Sequence, residues 1–417
     1  MSSSSTDQTQ SGDGGVRDRT TATVLGLALG PAVVLGLARF AYALLLPSMQ
    51  TELSWSLSTA GAMNSANAIG YLVGALSSAP LARRFGTRRS FLIALNITVL
   101  SLLLTATSAD TTILLLLRAL AGVTGAIAFI TGAGLVARLA AGQIAHKPAL
   151  LLGIYFAGGG AGIVISGLSI PVLLAHLPAA TGWRWGWILL GLIGIVASVL
   201  TWLATRQASE PPPQPHHDRH WPARRFVPML SSYGLFGVGY IAYMTFIVAF
   251  LHNGGAGATE ITLFWGLLGA TSIIGAFFWV RPISALARAR GLAVILATLA
   301  VGAILPLISH SLPIAMASAL LFGGSFLAVV TAVTSVARRS LPEHHWTPAI
   351  ATLTVVFAVG QIIGPVLTGA ISEGPSGLTM GLGISAGLLI IAGLVALAQR
   401  PVDDAQPFHD TVARIEP

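Results

Sequence analysis

Apolar residues gather into twelve runs, at about 24-46, 57-80, 91-109, 112-136, 149-174, 186-204, 228-251, 260-280, 292-309, 312-336, 348-371 and 377-398. A helix rising ~1.5 Å per residue crosses the ~30 Å hydrocarbon core of a bilayer in ~20 residues, so each run is long enough to span it. Lipid offers no partner to a backbone N–H or C=O, and a spanning run therefore satisfies its own backbone as a helix. The pattern predicts an all-α membrane protein with 12 transmembrane helices. Polar stretches mark its divisions: a disordered N-terminal tail over 1-22, a six-helix bundle over 23-205, a Pro- and charge-rich linker over 206-227, a second six-helix bundle over 228-400 and a C-terminal tail over 401-417. The polar opening MSSSSTDQTQSGDGG lacks the basic-then-apolar order of a cleaved signal.

The two bundles read as copies of one unit. A shift of 201 residues lays Gly36-Leu37-Ala38-Arg39-Phe40-Ala41-Tyr42 on Gly237-Val238-Gly239-Tyr240-Ile241-Ala242-Tyr243, Gly74 on Gly275 and Gly122 on Gly323. One further residue of shift lays Gly158, Gly162 and Gly167 on Gly360, Gly364 and Gly369. Matches at nearly one offset, each at equivalent spans, indicate a duplicated six-helix repeat. Six is even, so both copies cross the membrane in the same sense, and a shared site is expected between them near the midplane.

Charge orients the chain. Nineteen of its 22 Lys and Arg residues fall in the even-numbered gaps and the two tails, while Arg184 lies in an odd gap and Arg39 and Arg118 lie within spans. The positive-inside rule then places both termini in the cytoplasm. Composition agrees, because 54% hydrophobic and 9% charged residues cannot cover a soluble surface. A pI near 10.7 would suggest nucleic acid in a soluble protein, but here the excess sits in short loops beside anionic lipid, and no nucleic-acid partner is expected. With no cysteine there is no disulfide or thiolate chemistry. His216, His217 and His220 lie in the linker without acidic or thiol partners, and no metal site is expected.

Several motifs resemble those of the major facilitator superfamily (MFS). Arg83-Arg84-Phe85-Gly86-Thr87-Arg88-Arg89, between spans 2 and 3, is similar to its loop motif, with Arg84, Gly86, Arg88 and Arg89 as conformational elements. Arg118-Ala119-Leu120-Ala121-Gly122-Val123-Thr124-Gly125-Ala126 resembles its fourth-helix motif. Gly36 to Tyr42 with Leu45-Leu46-Pro47, Trp183-Arg184-Trp185 and Gly360-Gln361-Ile362-Ile363-Gly364-Pro365 look like the bacterial YbfB/YjiJ-like branch. The resemblance covers about 22-400 and implies a multi-pass protein of the bacterial inner membrane, working by alternating access of two rocking bundles. Two departures stand out. Arg83 replaces the motif's usual Asp, so the latch built on that Asp does not carry over. Span 5 reads Gly162-Ile163 where drug/proton antiporters have Gly-Pro, which speaks against an exporter.

Candidate cargo contacts are the polar side chains that lipid would not tolerate. Arg39 and Arg118 fall at similar depth, and an intramembrane arginine costs at least ~2.5 kcal/mol unless it faces a bundle interior or cavity. Together they would attract an anion, the alternative being a structural role in capping carbonyls. Asn64 and Asn67 share one face of span 2, and Gln361 lies at comparable depth, although such amides also join helices by hydrogen bonds. Tyr42, Tyr155, Phe156, Tyr240, Tyr243 and Trp265 could line an apolar wall with polar tips, or simply pack. Gly122, Gly158, Gly162, Gly360 and Gly364, with Pro365, read as sites of close helix approach.

All 14 acidic residues lie outside the apolar centres. A proton-coupled mechanism would then use Glu52, His252 or Glu260 near the outer mouth, or protons carried by the substrate. No catalytic constellation, nucleotide-binding loop or cofactor motif appears, so neither an enzyme nor an ATP-driven pump is expected. The reading is a monomeric secondary transporter for a small, anionic organic solute. Drug or metabolite efflux is the alternative. A membrane receptor is a more distant one, with tails of about 20 residues leaving no room for a signalling domain.

Overall fold

A computed structural model describes residues 8–141, 148–178, 181–206, 221–279, 290–342 and 345–399, and it is helical throughout. Helix α1 comprises Gln8–Pro31, a π-helical stretch Ala32–Phe40 and Tyr42–Leu53. The others are α2 (Leu57–Phe85), α3 (Thr87–Thr105), α4 (Thr111–Ala141), α5 (Pro148–Ala175), α6 (Gly182–Ala204), α7 (Val227–Asn253), α8 (Ala258–Phe278), α9 (Arg290–Ile308), α10 (Leu312–Ser340), α11 (Trp346–Ser372) and α12 (Gly377–Leu397). Eleven of these, among the described residues, are long and apolar enough to cross a membrane. The twelfth, α2, has 29 residues, and Asn64, Asn67 and several serines lower its hydropathy because they face protein instead of lipid.

Local chemistry sets the turns. Ser56 caps α2 by accepting the Thr59 N–H at 3.1 Å, one of the donors a helix start leaves unpaired. Gly86 ends α2 and begins α3 with φ of 88°, a conformation that side chains with a Cβ avoid. Beside it, Arg88 Nε donates to the Thr205 carbonyl at the end of α6, at 2.7 Å, where the helix dipole favours a cation. Arg84 lies over the Phe85 ring.

The sequence duplication is a duplication of packing. In the first bundle, a Cβ at Gly158 or Gly162 of α5 would strike the α1 backbone at Ala28 or Ala32. In the second, a Cβ at Gly360 or Gly364 of α11 would strike the α7 backbone at Gly234 or Val238. Gly122 of α4 lies on Asn67 of α2, and its counterpart Gly323 of α10 lies on Leu268 of α8. Between bundles, α2 packs along α11, α5 along α8, and the second half of α1 along α7.

These seams are tightest at the end of the molecule away from the termini, the far end. There Gly61 abuts Pro365, Gly369 abuts Leu57, and Glu373, just beyond α11, accepts the Ser58 N–H of α2 at 3.0 Å.

The structure revises two boundaries. The polar residues from Gln8 to 22, read from the sequence as disordered tail, extend α1, because adding turns to an existing helix avoids the cost of nucleation. The linker's last residues also have structure: Trp221 Nε1 donates to Thr352 of α11 at 3.1 Å, and Ala223–Phe226 form a 3₁₀ turn into α7. Residues 207–220, with the three linker histidines, and the C-terminal tail lie outside the described residues.

Candidate functional site

Arg39 sits in the π-helical stretch that begins after Pro31. There the Ala41 N–H reaches back five residues to the Gly36 carbonyl at 3.0 Å, and Gly36 lies directly on Gly162 of α5. The wider turn re-aims carbonyls and side chains relative to an α-helix, and such insertions recur at functional sites. One result is that the Ala38 carbonyl points sideways, where Arg118 Nη1 of α4 donates to it.

Arg118 is occupied. Besides Ala38 it donates from Nη2 to Asn64 Oδ1 at 2.9 Å, and its guanidinium lies over the rings of Tyr42 (4.9 Å) and Trp187 (5.7 Å). Asn64 uses its amide N–H to reach Thr245 of α7 at 2.7 Å, a bond between the bundles. Asn67 Nδ2 donates to the Arg118 carbonyl at 3.1 Å, and the Tyr42 hydroxyl donates to the Ala60 carbonyl at 2.8 Å. Four predicted residues, Tyr42, Asn64, Asn67 and Arg118, thus form one network joining α1, α2 and α4. It tethers helices with most of its donors spent.

Arg39 is different. It is 5% exposed, its Nη2 is buried with no hydrogen-bond partner, and its nearest aromatic partner is the Tyr71 ring of α2, 5.3 Å away. A desolvated cation–π contact returns ~2 kcal/mol, against ~2.5 kcal/mol or more for an intramembrane arginine. The unspent donor adds ~1–3 kcal/mol of its own. No described Asp or Glu lies in the apolar centre of a helix to neutralise it.

Across the bundle interface, Arg39 is linked to Tyr240 of α7 through rings: its guanidinium lies 6.0 Å from the centroid of Phe40, and Phe40 meets Phe326, which packs on Tyr240. Tyr240 stacks with Phe236, Phe357 and Phe326 at centroid separations of 4.8, 5.6 and 6.2 Å and interplanar angles of 17°, 11° and 16°. Tyr233 continues the stack on Phe357 at 4.6 Å and 9°, and Phe40 of α1 meets Phe326 edge-on at 5.8 Å. Gln361 of α11 is fully buried; its Nε2 donates to the Tyr240 hydroxyl while its Oε1 has no partner. Two buried, unspent polar atoms of opposite kind, a donor on Arg39 and an acceptor on Gln361, therefore flank one aromatic wall.

The remaining predicted residues lie elsewhere. Tyr155 donates to the Phe129 carbonyl at 2.7 Å within the first bundle, and its neighbour Phe156 is 40% exposed on the outside. Tyr243 shares a hydrogen bond of 2.6 Å with Ser318 and stacks on Phe322 at 3.9 Å inside the second bundle. Trp265 Nε1 donates to Ser166 across the α5–α8 seam at 3.3 Å. Of the coupling candidates, Glu52 is held by Arg184 (2.9 Å) and Trp183, and Glu260 caps its own helix through the Gly257 N–H at 2.8 Å. His252 is exposed, at the edge of a far-end cavity of about 530 Å³ shared by α1, α5, α7 and α8.

Tyr71, Thr245, Phe236, Phe326 and Phe357 escaped the sequence reading. The duplication offset held the missing signal. It pairs Arg39 with Tyr240, Asn64 with Trp265 and Arg118 with Ala319, so the copies have diverged into a cationic half and an aromatic half.

Two related helical bundles, meeting at a buried polar and aromatic interface, describe a membrane carrier. The chain belongs to the major facilitator superfamily, in the family described as uncharacterised MFS-type transporter YbfB, whose pattern matches residues 31–397. Among solved structures, a bacterial homolog of the human lysosomal transporter Spinster, in an inward-facing and occupied conformation, is similar with a TM-score of 0.74 and 17% identity, over 90% of this chain and 96% of that one. A mutant of the nucleoside transporter NupG is similar with a TM-score of 0.71 and 14% identity, over 90% and 99%. At these identities the likeness is one of fold. No curated protein matches the sequence.

Proposed function

We propose that this carrier is a secondary transporter of a small organic anion, which binds between the bundles at Arg39 and crosses by alternating access. The observation that carries the reading is the Arg39 guanidinium: buried and, among the described residues, without a carboxylate and with Nη2 unpartnered. A substrate carboxylate would supply the missing charge and acceptors, and a guanidinium presents a planar fork suited to both its oxygens. Arg118 supports the site from behind by fixing α1 to α4 and α2. The charge pattern supports cytoplasmic termini in a bacterial inner membrane, with the far end extracytoplasmic and closed in this conformation. With no acid in the described helix centres, a coupled proton would travel with the substrate or be carried at the far mouth, where His252 is exposed.

The test is uptake into proteoliposomes of a panel of labelled carboxylates, sulfonates and uncharged solutes, with wild type, Arg39→Ala and Arg39→Lys. Transport confined to anions, lost in the alanine variant and partly kept in the lysine variant, is expected. Undiminished anion transport by folded Arg39→Ala would refute the reading.

A further inference from the structure

We infer that the substrate is an aromatic carboxylate bearing a hydrogen-bond donor on its ring, such as a hydroxyl or amino group. The inference deepens the anion reading above and rests on it. Three features of the bundle interface converge. Arg39 offers an unspent, buried donor and a positive charge from the first bundle. Gln361 offers an unspent, buried acceptor, Oε1, from the second. Both border the ring set around Tyr240, Gln361 by a hydrogen bond to its hydroxyl and Arg39 through Phe40, which meets Phe326 edge-on.

Tyr240 belongs to a set of rings from α7, α10 and α11 lying within 17° of parallel to their neighbours. A ring at the margin of such a parallel set can be covered by a planar aromatic body through offset stacking, which a flexible chain does less well. Phe357 and Tyr71, at the margin of this set, are half-buried, while Phe236, Tyr240 and Phe326 are buried. An inorganic anion or a short aliphatic acid would satisfy Arg39 and leave Gln361 and the rings unused. A ring with a carboxylate on one side and an O–H or N–H on the other would satisfy both orphan atoms and bridge the bundles.

The Gln361 side chain also sets polarity. With its Nε2 given to the Tyr240 oxygen, the Tyr240 proton is directed away from Gln361 and is available to the substrate, so Gln361 acts both as acceptor and as positioning residue for that hydroxyl.

The experiment is calorimetric titration of the full-length protein in nanodiscs with benzoate, 3- and 4-hydroxybenzoate, terephthalate and phenol. At least one hydroxybenzoate is expected to bind roughly 10-fold more tightly than benzoate, because a buried acceptor left unpaired penalises the ligand lacking the donor. In Gln361→Met that preference should shrink to within about 2-fold, read as the ratio of the two affinities whatever the change in benzoate binding itself. In Arg39→Ala all acids should be lost and phenol retained. Benzoate and both hydroxybenzoates binding equally to wild type would overturn the inference while leaving the anion site standing. So would a preference that survives in Gln361→Met. Tighter binding of terephthalate than of either hydroxybenzoate would mean that the amide turns its NH₂ inward, and would overturn it too. Phenol binding with no binding of any acid would defeat the anion reading itself. The wild-type series decides the matter even where a variant fails to fold.

Discussion

Adding a single methyl group to the α2–α11 seam should open the far end. A Cβ at Gly369 would come within 2.7 Å of the Leu57 carbonyl carbon and 2.9 Å of the Ser58 nitrogen, and one at Gly61 would come within 3.0 Å of the Val366 nitrogen. Carbon contacts settle near ~3.5 Å or beyond, so Gly369→Ala is short by roughly 0.8 Å against backbone that cannot rotate away. Relief requires α2 and α11 to part, which alternating access does at this end in its other state. Overpacking costs ~1–3 kcal/mol, and if the closed state alone bears it, the open-to-closed ratio rises roughly 5- to 150-fold. The natural absence of cysteine makes the readout clean. Ser166 is fully buried in the α5–α8 seam against Trp265. A Ser166→Cys reporter in nanodiscs should therefore react with a water-soluble maleimide in proportion to opening. Gly122→Ala is the control, since its Cβ would strike Asn67 inside the first bundle; it should lower the melting temperature without raising the labelling rate. Unchanged labelling in folded Gly369→Ala would show that this seam does not move, and the rocking scheme built on it would fall.

Three further outcomes are expected. The exposed Glu373 carboxylate is held below the ordinary value of 4.5 by hydrogen bonds from Ser58 and Ser56 at the start of α2. A depressed value means that the clasp between bundles is present above the ordinary value and lost as pH falls through the lowered one. Ser166→Cys labelling, divided by that of a free thiol at the same pH because maleimide attacks the thiolate, should therefore rise on acidification below 4.5 and lose that dependence in Glu373→Gln, with a constant ratio in both proteins as the refuting result. Arg118→Ala should destabilise the protein by about 1.5–3 kcal/mol, the worth of hydrogen bonds made by a charged group, whereas Arg39→Ala should leave the melting temperature unchanged or higher; equal losses in both would contradict the division of labour between them. Single cysteines at Ser54, Ser108 and Ser376 should react with an impermeant maleimide on intact cells and one at Thr87 should not, and labelling at Thr87 would reverse the orientation.

The twelve crossings and the duplication were legible in the chain because each is a local or periodic property. Helix length follows from run length, and close approach from glycine spacing. Membrane-buried polar residues were also easy to find, since few side chains need protein in place of lipid. What each one does was not legible. Arg39 and Arg118 look alike in sequence, yet Arg118 gives both of its terminal nitrogens to Ala38 and Asn64, leaving only Nε unpartnered, while the Nη2 of Arg39 has no partner among the described residues. Glu52 and Glu260 read in the sequence as free outer carboxylates, and only the structure shows Arg184 and the Gly257 N–H engaging them. The aromatic wall is drawn from three helices whose rings align only after α7, α10 and α11 pack. Whether a buried polar atom is satisfied depends on partners tens or hundreds of residues away, and only the tertiary structure brings those partners within hydrogen-bond reach.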